Sequence, residues 1–250
     1  MSGHSKWHSI KHQKGVTDAR RGQLFTKLTR EIIIAAREGG GNTEGNFRLR
    51  LAIQKARDSN MPMDNIERAI KKGTGELEGG SLSEITLEGY GPNGIAILVS
   101  ALSDNRNRTI QEVRSTFTRH GSSLGESGCV SWLFDSKGVI TVKVEDYDAD
   151  ELALAAIDAG AEDVKVETGY VEVYTVPEEM EKVRETLEKK NLKIESSELL
   201  MVPKSLIQLD EKAALQALRL LDKIEEIDDI QNVFSNADIP DSVVESYQAV

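Results

Sequence analysis

Residues 138–202 read GVITVKVEDYDADELALAAIDAGAEDVKVETGYVEVYTVPEEMEKVRETLEKKNLKIESSELLMV, and their pattern decides the fold. GVITVKV, DVKVET and YVEVYTV alternate apolar and polar residues with the period of two that a half-buried strand needs, and IESSELLMV closes the series. Between them, the run after Asp148 and the segment from Pro177 to about Lys190 have helical spacing. Strand, helix, strand, strand, helix, strand is the split-βαβ, ferredoxin-like order. Residues 136–202 are therefore expected to form an inserted ferredoxin-like βαββαβ domain.

Working outward, Glu84–Glu88 and Ile95–Ala101 are strand segments on either side of Gly89-Tyr90-Gly91-Pro92-Asn93-Gly94. A helix with Ile110, Val113 and Phe117 on one face follows them. After the insert come LIQLD, a helix from Ala213 to Glu225, and IQNVFSN. These last elements cannot enclose a core alone, so they are expected to complete the sheet begun at residue 84. That makes a discontinuous α+β domain of residues 80–135 plus 203–240.

GTGELEGGS, residues 73–81, has the composition of a linker, and before it the period is that of helices. Leu24, Leu28, Ile32 and Ala35, with Phe25 and Ala36 beside them, predict a helix that Gly39-Gly40-Gly41 stops. Leu49, Ile53 and Ala56 mark a second helix ending near Asn60. A third follows Pro62, with Asp64 and Glu67 spaced as a capping box, Ile66 and Ile70 on one face and Gly73 as its stop. Residues 17–75 thus read as a helical basic domain of three helices, and residues 1–16 as a basic arm. The whole is an α+β chain of three domains, which 250 residues can accommodate.

Charge divides along the same line. Residues 1–72 hold 15 Lys/Arg against 7 Asp/Glu, whereas residues 73–250 hold 16 against 35. A net of +8 on an acidic carrier of −19 reads as a polyanion-binding module. No apolar run approaches the roughly 20 residues that span a bilayer, and no leader pattern opens the chain, so a cytoplasmic protein with no membrane partner is expected. The single Cys129, in SGCVSWLF, reads as a small packed side chain and excludes an internal disulfide.

Candidate ligand contacts follow from the basic residues. In the arm, Trp7 and His8 suit base stacking or phosphate contact, with Lys6, Lys11 and Lys14 around them; Trp7 packed under the arm as its anchor is the alternative. His4, His8 and His12 share a spacing that could hold a metal, but no carboxylate or thiolate accompanies them and lysines surround them, so no metal is expected. On the first helix Arg20, Lys27, Arg30 and Arg37 fall within about a third of the circumference, clear of the apolar stripe. On the second, Arg48 and Lys55 flank the core stripe on one side, with Arg50 and Arg57 on the other. These make either a phosphate-binding ridge or a solvated face of internal ion pairs. Arg106 and Arg108 in SDNRNRT, joined by Arg114 and Arg119, sit where a helix N-terminus offers free amides to a phosphate. Equally, Asn105 and Asn107 would cap that helix while the arginines pair with Asp104 and Glu112.

Enzymatic chemistry finds no support in the motifs. Residues 89–94 match G-x-G-x-x-G, but Gly94 leads into the β-branched run IAILVSA rather than a helix, so a hairpin turn is predicted instead of a dinucleotide site. There is no HExxH, Walker A, nucleophile elbow or paired-carboxylate context. No catalytic residue, cofactor or small-molecule substrate is assigned.

GHSKWHSIKHQK, DARRGQLFTKLTREI, NFRLRLAIQKARDSNMP, DNIERAIKKG, LEGYGPNG, SDNRNRTIQEVRSTF and SLGESGCVSWLF together resemble the YebC/PmpR family, which includes a mitochondrial translational activator of cytochrome oxidase. The likeness is strong to about residue 138 and looser beyond, with Cys129 where serine is usual and Ser122-Ser123 where glycine is. It implies a three-domain α+β protein with a helical first domain, no catalytic activity, and regulation of gene expression through nucleic acid. Two partners are implied in the family. One is DNA, for transcriptional regulators; the other is ribosomal or transfer RNA, for ribosome-associated factors that help translation of difficult sequences such as proline runs. The acidic carrier, which repels a duplex at long range, tilts the physical reading slightly to RNA.

Overall fold

The computed structural model describes residues 18–78, 80–144, 148–167 and 169–248. The described residues make a mixed α+β chain that divides into two compact units, one up to residue 133 and from residue 203 on, the other between residues 134 and 202.

In the first unit, helix α1 (Asp18–Gly39) buries Leu28, Ile32, Ala35 and Ala36 against α2 (Phe47–Asp58) and α3 (Met63–Gly73). Asn46 joins the first two: its side chain accepts from the Leu49 amide, capping α2, and donates to the carbonyls of Ala35 and Gly40 at the end of α1. One residue thus satisfies unpaired backbone groups of two helices. Two sequence expectations for α3 are corrected. Its N-cap is Pro62 and makes no side-chain cap bond, so Asp64 lies inside the first turn and no capping box forms. Gly73 is the last helical residue rather than the stop; a Cβ there would come within 2.5 Å of the Ile33 carbonyl, so its smallness lets α3 cross α1 closely.

Strands β1 (Ser83–Tyr90), β2 (Ala96–Ser103), β3 (Ser123–Leu124) and β9 (Ile230–Ser235) form the sheet of this unit, in the order β3-β1-β2-β9. β1 and β2 form an antiparallel hairpin through Gly91–Ile95, closed by Gly91 donating to the Ile95 carbonyl. The turn is therefore a hairpin turn, as its Pro-Asn-Gly chemistry predicts. Helices α4 (Arg106–Arg119) and α7 (Glu211–Glu225) supply Val113, Phe117, Ala217, Leu218 and Leu221 to a core with Ile85, Ile97, Val99 and Val233. Of the C-terminal segments, IQNVFS joins this sheet beside β2. LIQLD does not: only Ile207–Gln208 (β8) is paired, with Ala237–Asp238 (β10). Helix α8 (Asp241–Gln248) follows.

The second unit runs β4 (Phe134–Lys143), α5 (Ala149–Ala159), β5 (Asp163–Glu167), β6 (Tyr170–Thr175), α6 (Met180–Lys189) and β7 (Ile194–Pro203). Its strand order, β5-β6-β4-β7, is that of a split βαβ repeat. Asp148 caps α5, accepting from the amides of Asp150 and Glu151, and Gly160 ends it at φ +107°. Ile140, Val142, Val171 and Val173 are buried with Leu152, Val183 and Leu187 from the helices.

Candidate nucleic-acid interface

Lys6, Trp7, His8, Lys11 and Lys14 lie outside the described residues, and Arg20 is described only as part of the first turn of α1. The rest of the expected ridge turns inward on the chain. Lys27 Nζ donates to the Glu225 carbonyl at 2.6 Å. Arg30 donates to the Asp228 carbonyl at 2.6 Å and pairs with the Asp229 carboxylate at 2.9 Å. Arg37 reaches the carbonyls of Leu82 and Gly80, tying the linker back to α1. A position clear of a helix's own apolar stripe can still face a neighbouring element, and here it meets α7 and the turn before β9.

Arg48 on α2 is shared by three carboxylates, Glu31 at 2.8 Å, Glu38 at 2.7 Å, and Glu84 at the start of β1. Arg50 stacks on the Phe47 ring and donates to the Thr43 carbonyl. Lys55 is half-buried and partnered within the chain. Arg48 follows the ion-pair alternative of the sequence reading, whereas Arg50 is held by a ring and backbone carbonyls.

Around Asp229 the pairing becomes a hub. This carboxylate is 3% exposed and accepts from Ser103 Oγ at 2.9 Å, Thr109 Oγ1 at 2.5 Å and Arg108 at 2.8 Å, besides Arg30. Burial by itself raises the Asp229 carboxyl. The hydrogen bonds from Thr109, Arg108 and Ser103, with the charge of Arg30, outweigh it and hold the group below the usual carboxylate range. Arg108 also pairs with Asp104, not with Glu112, and Asn105 caps the helix by accepting from the Arg108 amide. The helix begins at Arg106, so Arg106 and Arg108 belong to its first turn and are not placed ahead of its free amides. Sequence reasoning missed Asp229, an acid between two apolar segments with no local sign of its partners.

The outer face of α4 is open to a ligand. Thr109, Val113 and Phe117 point into the core. Opposite them, Gln111, Arg114, Ser115, Thr118 and Arg119 line a shallow depression. Arg106, Arg114 and Arg119 are exposed and make no ion pair among the described residues. Arg114 and Arg119, with Gln111, Ser115 and Thr118, give this side of the helix a positive face of guanidinium, amide and hydroxyl groups. Gln111, Ser115 and Thr118 were absent from the sequence reading. Their spacing of four and three residues opposite the apolar stripe was the available signal.

A loop on the neighbouring strand is fixed with equal care. Glu88 in β1 is 4% exposed and accepts from the amides of Gly128, Val130 and Ser131 at 2.7–2.8 Å. Burial raises its carboxyl, and the three backbone bonds outweigh burial and lower it. Cys129 in that loop is half-buried, its thiol pushed up by burial and then by Glu88, so it packs rather than reacts.

Residues 5–76 match the family model described as TACO1/YebC protein N-terminal domain, and residues 82–237 match that of the TACO1/YebC second and third domain. A probable transcriptional regulatory protein of Dehalococcoides mccartyi strain CBDB1 is 61% identical, over 100% of this chain and 99% of its own. One of Syntrophus aciditrophicus is 52% identical over the whole of both chains. The crystal structure of a conserved hypothetical protein from Aquifex aeolicus, 52% identical, superposes with a TM-score of 0.85 and covers 93% of this chain and 96% of that one.

Proposed function

Because the chain belongs to the TACO1/YebC family, we propose that it is a nucleic-acid-binding regulator of gene expression that acts by binding rather than by catalysis. The outer face of α4 carries this reading. There Arg114 and Arg119 are exposed guanidinium groups without an ion pair among the described residues, and Gln111, Ser115 and Thr118 between them add neutral donors of the kind that contact phosphate and sugar. The relatives are named probable transcriptional regulatory proteins, and in a transcriptional role the partner of this face would be DNA.

A second reading, a ribosome-associated translation factor, is favoured by a different observation. Arg57 on α2 and Arg68 and Lys71 on α3 are also exposed without an ion-pair partner among the described residues. Cationic groups on two separate faces suit a folded RNA that presents several phosphate tracks, and linked sites strengthen each other through effective concentration. The −19 charge of residues 73–250 opposes long-range attraction to a duplex. In both readings the chain works as three domains in the cytoplasm: residues 17–75, residues 80–135 with 203–240, and the inserted residues 136–202. No described helix is long and apolar enough to cross a membrane.

The test is Arg114→Glu with Arg119→Glu, measured by RNA and DNA binding across a salt series. Each phosphate-binding cation removed should flatten the slope of log affinity against log salt by about 1, so the double variant should flatten it by about 2. Unchanged affinity and slope would overturn the assignment of this face. Sedimentation of the full chain with ribosomes, set against a promoter footprint at physiological salt, separates the two partners.

A further inference from the structure

Of the described aromatic side chains, Trp132 and Tyr90 are the two most exposed, at 65% and 40%. They are not loose. Trp132 Nε1 donates to the Cys129 carbonyl at 3.1 Å, and the Tyr90 hydroxyl donates to that same oxygen at 3.0 Å. Both polar edges therefore converge on one atom. The loop under them is held by Glu88 through three amides, and Gly125 admits it closely, since a Cβ there would lie 2.5 Å from Cys129 Sγ. A buried carboxylate spent on a loop whose tip shows a bare indole is not explained by core packing. An exposed large aromatic fixed in place is a recognition feature, because its ring stacks with little further loss of conformational freedom.

We infer that Trp132, with Tyr90 beside it, is a stacking platform for an unpaired nucleotide base, an inference that rests on the nucleic-acid reading above. Continuity with the α4 face selects this occupant. Tyr90 pairs in register with Ser123, which follows Arg119 by four residues, so at most about 14 Å of chain and one strand spacing of about 5 Å separate the cationic helix end from the Tyr90 backbone. A strand whose phosphates lie along Arg114 and Arg119 delivers its next bases to the indole. Lys204 adds a cation at the edge, donating to the Trp132 carbonyl at 3.0 Å. Stacking on an aromatic face tolerates any base, so the platform reads single-strandedness rather than sequence.

The chain has two tryptophans, so a Trp7→Phe background leaves Trp132 as the sole indole emitter. Three probes are titrated: a short single-stranded RNA of mixed sequence, the same RNA with abasic positions, and a blunt duplex. The single strand should quench the emission and the abasic strand should not. Trp132→Ala should weaken single-strand binding about 5- to 150-fold, with duplex affinity changed less than about twofold and Trp132→Phe retaining most of the affinity. Equal binding of intact and abasic strands with unchanged emission overturns the platform. So does an equal loss for all three probes in Trp132→Ala, which marks a structural role. A protein partner on this surface would show as Trp132→Ala leaving RNA affinity intact while Arg114→Glu with Arg119→Glu abolishes it, and that overturns the platform alone. No binding of any probe to the chain with both tryptophans overturns the nucleic-acid reading as well.

Discussion

Replacing Asp229 by alanine tests whether the expected phosphate-binding ridge is a structural seam. The carboxylate receives two charged and two neutral hydrogen bonds. Arg108 is half exposed and rehydrates when released, so its share is discounted for solvent screening. Ser103 and Thr109 keep a bond to each other at 2.8 Å, so their hydroxyls are only partly orphaned, at about 1 kcal/mol. Arg30, 19% exposed, loses a charge-assisted bond of about 2 kcal/mol. Asp229→Ala should therefore cost about 3 kcal/mol in urea unfolding followed by circular dichroism, at the low end of a broken buried pair. Arg30→Ala, Asp229→Ala and the double variant should show a coupling of about 1–2 kcal/mol. The acid dependence has a fixed sign. A carboxyl lowered in the folded state stabilises fully above its unfolded value of about 3.9 and loses that contribution as pH falls through the lowered value. The gap between wild type and Asp229→Ala should accordingly close only below about pH 4. A loss under about 0.5 kcal/mol at neutral pH, or strictly additive single variants, would refute the seam.

Two further outcomes are expected. Glu88→Ala strands three loop amides and should cost about 3 kcal/mol, with faster proteolysis within residues 125–133; an unchanged cleavage rate would mean that the loop is held by something else. Gly73→Ala should destabilise by about 1–3 kcal/mol, because its Cβ would meet the Ile33 carbonyl and the Ala36 Cβ at 2.5 and 2.6 Å. Gly22→Ala on the exposed face of α1, where nothing lies within 4 Å, should instead stabilise by about 0.5–1 kcal/mol. Equal unfolding midpoints for the two variants would count against the close helix crossing.

The sequence alone determined which segments are helices and strands, because period and end signals are local. Leu28, Ile32 and Ala35 on α1, the Pro-Asn-Gly turn and the βαββαβ succession of residues 134–203 are readable from spacing that each segment carries in itself. It also carried the family, through motifs whose residue types stand in fixed order. What it left undecided was the use of each charge. Lys27, Arg30 and Arg48 were visible as a basic ridge, but their partners Glu225, Asp229 and Glu84 stand 198, 199 and 36 residues away. No helical spacing reports a contact across such separations. The same holds for Trp132, whose exposure depends on Glu88 gripping a loop from 40 or more residues earlier. A cation is a ligand contact or a structural one according to whether a carboxylate or carbonyl comes within about 3 Å of it. Only tertiary packing decides that distance, and here it ties Lys27, Arg30, Arg37 and Arg48 to carbonyls or carboxylates of the chain while leaving Arg114 and Arg119 without an ion pair among the described residues.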